Sequence, residues 1–334
     1  MRSVSAVTVT YGDRFYLLKQ VIDSALEEGV SQVIVVDNAS SDESREKLRE
    51  YERASGRISV VYIDENTGSA GGFKRGIERA LEVGSEFIWL LDDDNVPLRG
   101  SLENLMRCWD EIEDPNKERT TAILSFRFRR YKEGVKLLTR KNSFTDFHIL
   151  DIIYNIFSIG RFLRRITSGD DFKKLDNPEE VSIATYGGLF LHRDIIPIIG
   201  LPDERFFLYE DDNEYTFRIT KKGGRIILCP SSKVDDVDLS WRVDEEPSFF
   251  HAILKSGGDF RNYYRFRNRV YFERKDLVTS RFMYRINRFF FLMILYIFSI
   301  FIKGDHSERI RIIRRAIRDG ENGRLGKADF KLDP

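Results

Sequence analysis

The 334-residue chain carries 54 Lys and Arg against 54 Asp and Glu, so it has no net field of the kind that gathers nucleic acid. Two cysteines, Cys108 and Cys229, supply neither a disulfide framework nor a zinc spacing, which points to a reducing compartment. The length suffices for a full α/β domain and an extension. The sequence opens straight into a strand pattern without a signal-peptide core, so a cytosolic-side protein is expected.

In chain order, residues 1–110 predict a strand–helix rhythm. Val4–Thr10 is a β-branched run closed by Gly12 and Asp13, and Phe15–Glu28 has apolar residues at helical spacing. Gln32–Val36 reads as a second strand and Ser40–Ser55 as a polar helix with Asn, Ser and Asp at its start. Ile58–Ile63 is a third strand, Gly72–Val83 a helix and Glu86–Leu91 a fourth strand. Strands separated by helices imply a parallel, doubly wound sheet. Between 110 and 180 the rhythm breaks. Ala122–Phe128 looks like another strand, followed by a basic stretch and the apolar segment Phe147–Ile166, read as an insertion: a helical hairpin, an acceptor-shaping element or a membrane contact. Val181–Leu191 and Arg225–Cys229 resume the core. Beyond Arg261 a basic helical tail is expected, with nine Arg or Lys between Arg261 and Arg288 against Glu273 and Asp276. Its apolar run, Phe289–Ile302, has fourteen residues, short of the roughly 20 that span a bilayer. It suits an interfacial helix, with flanking arginines for anionic headgroups, or else a helix docked on the core or a second subunit.

The fourth strand ends in Asp92, Asp93 and Asp94. Three adjacent acids repel one another unless something cationic sits there, and ligands of open α/β sheets bind at that edge. A divalent ion between carboxylates and a diphosphate would explain them; an acidic helix cap is the plain alternative. Four other segments fall on the same edge. Thr10, Tyr11 and Gly12 follow the first strand. Asp37 and Asn38 tip the second, where an acid can hold a base or ribose, or cap a turn. Asn66–Gly72 (NTGSAGG) precedes a helix, where glycines free N–H groups for an anion. Phe206–Tyr215 (FFLYEDDNEY) sets three acids after an aromatic strand, placing one as a general base, or as a helix N-terminal cap. There is no GxGxxG and no GK[ST] loop, which disfavours nicotinamide enzymes and P-loop NTPases.

The ordered segments VTVTYGDR, VVDNASSD, ENTGSAGGFKRG, WLLDDDN, YGGLFLHRD, FFLYEDDNEYTFR and YYRFRNRVYF resemble family 2 of the inverting glycosyltransferases, most nearly its galactofuranosyl- and then rhamnosyltransferase branches. The resemblance implies a GT-A, Rossmann-like α/β domain with a mainly parallel sheet over residues 1–260, an insertion at about 126–180, and a C-terminal helical region over 261–334. It implies that Thr10, Tyr11 and Asp37 hold the nucleoside, with Asn66, Gly68, Gly71 and Gly72 near the ribose and diphosphate. Asp92 and Asp94 become a DxD pair, with Asp93 sharing either task, for Mn²⁺ or Mg²⁺. Asp212 becomes the base, with Asp211 as competitor. The galactofuranosyl branch usually has a metal-binding His after the base; here Asp235, Asp236 and Asp238 stand instead, and Asp236 is carried as a third ligand. Gly187, Gly188 and Trp241 are expected beside the acceptor, and the arginines of Tyr263–Arg269 opposite a lipid-linked diphosphate or simply in solvent. The expected partners are a UDP-sugar or dTDP-rhamnose and a glycan or lipid-linked glycan, with peripheral membrane contact at the inner face and homo-oligomers open. A nucleotidyltransferase would need a basic glycine-rich N-terminal signature where TYGDR stands. A glycan-binding pseudoenzyme would have lost the DxD or EDD acids, and both are present.

Overall fold

The computed structural model describes residues 2–127, 177–238, 249–255, 258–278 and 280–330, with the side chain of Met283 left aside. The elements are β1 (Val4–Gly12), α1 (Phe15–Glu27), β2 (Gln32–Ser40), α2 (Asp42–Ala54), β3 (Ile58–Ile63), α3 (Gly68–Glu82), β4 (Phe87–Asp92), β5 (Asn95–Pro97) and α4 (Ser101–Asp110). They continue with α5 (Lys117–Thr120), β6 (Thr121–Arg127), β7 (Glu179–Val181), β8 (Leu189–His192), α6 (Ile196–Ile199), α7 (Asp211–Lys221) and β9 (Arg225–Asp236). The chain ends in α8 (Phe249–Lys255), α9 (Asp259–Phe272) with a π-turn at Glu273–Leu277, α10 (Arg281–Phe301) and α11 (Ser307–Glu321).

The chain divides into two compact units. One holds the described residues up to Phe207 and 211–238; the other holds Leu208–Glu210 and the helices from α8 onward. In the first, the sheet runs β3-β2-β1-β4-β8-β6-β9-β5, with β7 on β9. The β3-β2-β1-β4 half is parallel, as the strand–helix rhythm dictates, whereas β8 runs antiparallel between β4 and β6. Alternation along β4 fills both faces. Phe87, Trp89 and Leu91 join α1 and α4 in one core, while Ile88 and Leu90 join Phe73 and Ile77 of α3 and Tyr215 of α7 in the other.

Val181–Leu191 resumes the core as expected, holding the end of β7 and most of β8, with Gly188 at φ +92° just ahead of β8. Three expectations are corrected here. Phe206–Tyr209 is not a strand: Phe207, Tyr209 and Glu210 have φ near +65°, a conformation that costs side-chain-bearing residues about 1–3 kcal/mol each. The helix expected from Gly72 begins at Gly68, so the glycine run is its first turn rather than a loop ahead of it. The apolar run of the tail lies within the 21-residue α10, whose Tyr284–Phe301 stretch is long and apolar enough to cross a bilayer. The segment Phe147–Ile166 and Trp241 lie outside the described residues.

In the second unit, α9 carries buried arginines where solvated or ligand-facing ones were entertained. Arg269 bridges Glu210 at 3.0 Å and Glu273 at 2.8 Å, and Arg267 donates to the Gly326 carbonyl at 2.6 Å. Neighbouring Asn268 donates to the carbonyls of Leu208 and Tyr209, holding the positive-φ residues.

Candidate active site

Strand register brings the predicted edge together. Thr10 pairs with Asp37 and Val9 with Asp92, so the tips of β1, β2 and β4 lie side by side. Of the three β4-tip acids, Asp93 is internal. Arg14 grips it with Nε at 2.8 Å and Nη2 at 2.9 Å, the Thr10 hydroxyl donates at 3.0 Å, and the third Arg14 nitrogen reaches Asp238 at 2.7 Å. Burial raises the Asp93 carboxyl pKa, and Arg14 and Thr10 act against that rise. This acid is a fixture of the loop.

Asp92 and Asp94 differ from it. The Asp92 side chain is 36% exposed and meets Arg127 Nη1 at 3.1 Å. Asp94 accepts from Asn95 Nδ2 at 3.0 Å, and burial together with the Asp92 and Asp93 charges pushes its carboxyl up to about 7. Asp236, at the end of β9, receives Arg127 Nε at 3.0 Å and Asn95 Nδ2 at 2.7 Å. Five carboxyl groups (Asp92, Asp93, Asp94, Asp236, Asp238) thus face two guanidiniums (Arg14, Arg127), three more acids than cations. Among the described residues no three acid, His or Cys side chains stand as a ready metal-ligand set, since Asp92 and Asp236 turn to Arg127. The donor chemistry nevertheless suits a hard divalent ion, being all carboxylate oxygen around an acid whose proton is held only by burial and like charge.

Gly187 forms the wall of this cluster. A Cβ there would come within 2.0 Å of Asn95 Oδ1 and 2.7 Å of Asp92 Oδ2, so only a glycine lets the backbone pack on the acids. Gly188, buried against Ser125, donates its N–H to Leu90 O. Gly187, expected with Gly188 beside an acceptor, sits against the carboxylates.

The nucleoside-side residues form a second network. Asp37 is fully buried, capping Ser40 N at 2.9 Å and pairing with Arg45 at 2.5 Å. One of its oxygens caps its own turn and the other meets Arg45 of α2. Asn38 accepts from Thr67 N and donates to Gly68 O, and Asn66 accepts from Gly68 N at 2.8 Å. Ala70 N reaches Phe207 O, so Thr67, Gly68 and Ala70 spend their N–H groups inside the protein rather than on an anion. Gly68, at φ +73°, lies where a Cβ would overlap Phe207 O. Gly71 and Gly72 follow in the first turns of α3, with Gly72 against Val9. Tyr11 is partly exposed, with the Arg14 guanidinium over its ring at 5.5 Å.

At the start of α7, burial separates the two candidate bases. Asp211 is buried, accepts from Ser69 Oγ at 2.8 Å, and is pushed well up by burial and by Asp212; Asp92 adds to that push, which links α7 to the β4 tip. Asp212 is half-buried and accepts from Asn213 N at 2.7 Å. Two residues central to the acid cluster escaped sequence reading. Arg127 was legible only as a cation inside the expected strand Ala122–Phe128, and Asn95 only as the polar residue closing DDDN.

The glycosyl transferase family 2 model matches residues 5–164. The chain is 22% identical over 277 residues to the dTDP-rhamnosyl transferase RfbF of Shigella flexneri, covering 83% of this chain and 81% of that one. It is 24% identical over 241 residues to galactofuranosyltransferase GlfT1 of Mycolicibacterium smegmatis, covering 66% of each. Curated relatives are matched over 28% to 81% of their own length. A solved structure of GalNAc-T7 with UDP, GalNAc and Mn²⁺ superposes with a TM-score of 0.56 at 15% identity, over 96% of this chain and 56% of that one. The fold is thus of the GT-A type, and residues 5–164, with the acid-tipped sheet edge among them, match the glycosyl transferase family 2 model.

Proposed function

We propose that the chain is a metal-dependent, inverting glycosyltransferase that moves a sugar from a nucleotide diphosphosugar to a hydroxyl of a glycan or lipid-linked glycan at the cytoplasmic membrane face. The observation that carries this reading is the uncompensated carboxylate cluster at the β4 tip, where Asp94 is held near neutrality by burial and like charge. Asp94 and Asp92 would hold Mn²⁺ or Mg²⁺, with Asp236 available once Arg127 releases it. When bound, the ion neutralises the negative charge that develops on the departing diphosphate.

The chain's own groups do the rest. Asp212, the more exposed acid of the pair, takes the proton of the acceptor hydroxyl as that oxygen attacks the anomeric carbon. The bond from that carbon to the diphosphate oxygen breaks from the opposite face, and the nucleoside diphosphate leaves with the electron pair. Asp211, bonded to Ser69 and buried, fixes the start of α7. Asp37, Asn38 and Asn66 keep the nucleoside-side loop in shape.

Galactofuranose from a UDP-sugar is the first donor to test. Rhamnose from dTDP-rhamnose is the second, favoured by the longer alignment with RfbF. Nucleotide release from UDP-galactofuranose and dTDP-rhamnose, with the anomeric configuration of the product read by NMR, decides between them. Release with inversion, lost in Asp212→Asn, supports the reading. Retained configuration contradicts single displacement, and release from neither donor under Mn²⁺ or Mg²⁺ with glycan acceptors present favours a glycan-binding pseudoenzyme.

A further inference from the structure

The second unit exposes an apolar surface that the donor chemistry does not use. Along α10, residues 282, 285, 289, 293, 296 and 300 recur every three or four positions and form one face. Apart from Arg285 it is apolar: Phe282, Phe289, Met293, Tyr296 and Ile300 are exposed, and Phe290, Ile297 and Phe301 widen the stripe. Exposure reaches 71% at Phe282 and 81% at Phe301. A contiguous patch of this kind marks an interaction surface.

Two observations say what covers it. The first is charge. A cleft of about 760 Å³ opens beside Tyr296 and is lined by Arg311, Arg314, Arg315, Arg318, Arg324 and Asp319, with Glu308 paired to Arg311 and Asp329 to Arg315. Arg314 and Arg318 are exposed and have no ion-pair partner among the described residues. Apolar side chains rimmed by unneutralised arginines match the boundary between acyl chains and anionic headgroups. The second is the opposite face of α10. Tyr284, Asn287, Phe291 and Leu295 are buried; Phe291 packs on Phe250 and Phe266, and Arg288 pairs with Glu321. A spanning helix would have to surrender these contacts, whereas one lying in the surface keeps them.

We infer that α10 lies in the plane of an anionic lipid surface, its exposed face at the acyl boundary and the arginine cleft of α11 on phosphate headgroups. This deepens the lipid-linked-acceptor side of the function proposed above. Its test reads vesicle binding alone, so its failure leaves the donor site untouched.

The full chain is floated with phosphatidylcholine vesicles and with vesicles containing about 30% phosphatidylglycerol. The expected result is at least about tenfold more binding to the anionic vesicles. Phe289→Glu with Ile300→Glu should bring it to background. Arg314→Glu with Arg318→Glu should lower it by about tenfold at low salt, with less effect at high salt. Because all four positions are exposed, unchanged urea midpoints should show both variants folded; Phe301→Ser serves as a milder apolar test. Absence of flotation overturns the inference, as does flotation indifferent to the apolar variant. A solution dimer that the apolar variant splits, without vesicle binding, assigns the face to a second copy instead. Retention through alkaline carbonate extraction would make α10 a spanning helix and overturn the in-plane placement.

Discussion

The β4-tip cluster and the arginine cleft of α11 are opposites in sign and alike in kind. At the first, five carboxylates meet two guanidiniums; at the second, five guanidiniums meet three carboxylates, Glu308, Asp319 and Asp329, and Arg314 and Arg318 have no ion-pair partner among the described residues. Elsewhere buried charges are held in direct ion pairs, as where Arg269 sits between Glu210 and Glu273 and Arg218 on Glu214. Buried charge that the protein balances itself serves the fold, and charge left unbalanced marks where a ligand of opposite sign belongs.

The sharpest way to break this contrast is at Asp212. Replacing it by Asn should lower turnover by about 10²- to 10⁴-fold while leaving nucleotide affinity near the wild-type value, measured by steady-state kinetics and calorimetry. An unchanged rate would move the base to Asp211 or outside the pair.

Next come the two kinds of arginine. Arg269→Ala leaves Glu210 and Glu273 buried without their cation and should cost about 3–5 kcal/mol in urea unfolding, with no recovery on adding Mn²⁺. Arg127→Met should cost a similar amount without metal, and Mn²⁺ should restore part of it by supplying the missing charge at Asp92 and Asp236. Equal metal responses in the two variants would erase the distinction between balanced and unbalanced sites.

The smallest effect is a pH dependence. The Asp94 carboxyl is raised from its ordinary value to about 7 in the folded chain, so the folded state holds a proton that the unfolded state releases near pH 4. Its contribution to metal-free stability therefore falls as pH rises between those values. Asp94→Asn should be more stable than wild type by about 1–3 kcal/mol at pH 8 and little different at pH 4, as read from unfolding midpoints.

Much of the first unit was legible in the sequence. The β-branched runs, the helical spacing and the acids at strand tips gave the β3-β2-β1-β4 half, because in a parallel sheet burial on both faces writes itself into composition. What escaped depended on distant partners. Asp37 looked like a ligand carboxylate, yet Arg45 and its own turn occupy it. Asp93 was expected to share the task of Asp92 or Asp94, and the grip of Arg14 on it is a contact that local pattern does not show. Arg127 belongs to the acid cluster only because β6 is brought alongside β9, a pairing that no local pattern encodes. The aromatic run at Phe206–Tyr209 failed as a strand for the same reason: its positive φ angles are held by contacts remote in sequence, such as Asn268 on Leu208 and Tyr209.

The measurement that goes most directly to the central claim is thermal stabilisation by Mn²⁺ together with a UDP-sugar or dTDP-rhamnose, in wild type and in Asp94→Ala. The account predicts a rise in Tm that needs both metal and nucleotide sugar and disappears in the variant. No rise with any nucleotide sugar, or the same rise without Asp94, would contradict it.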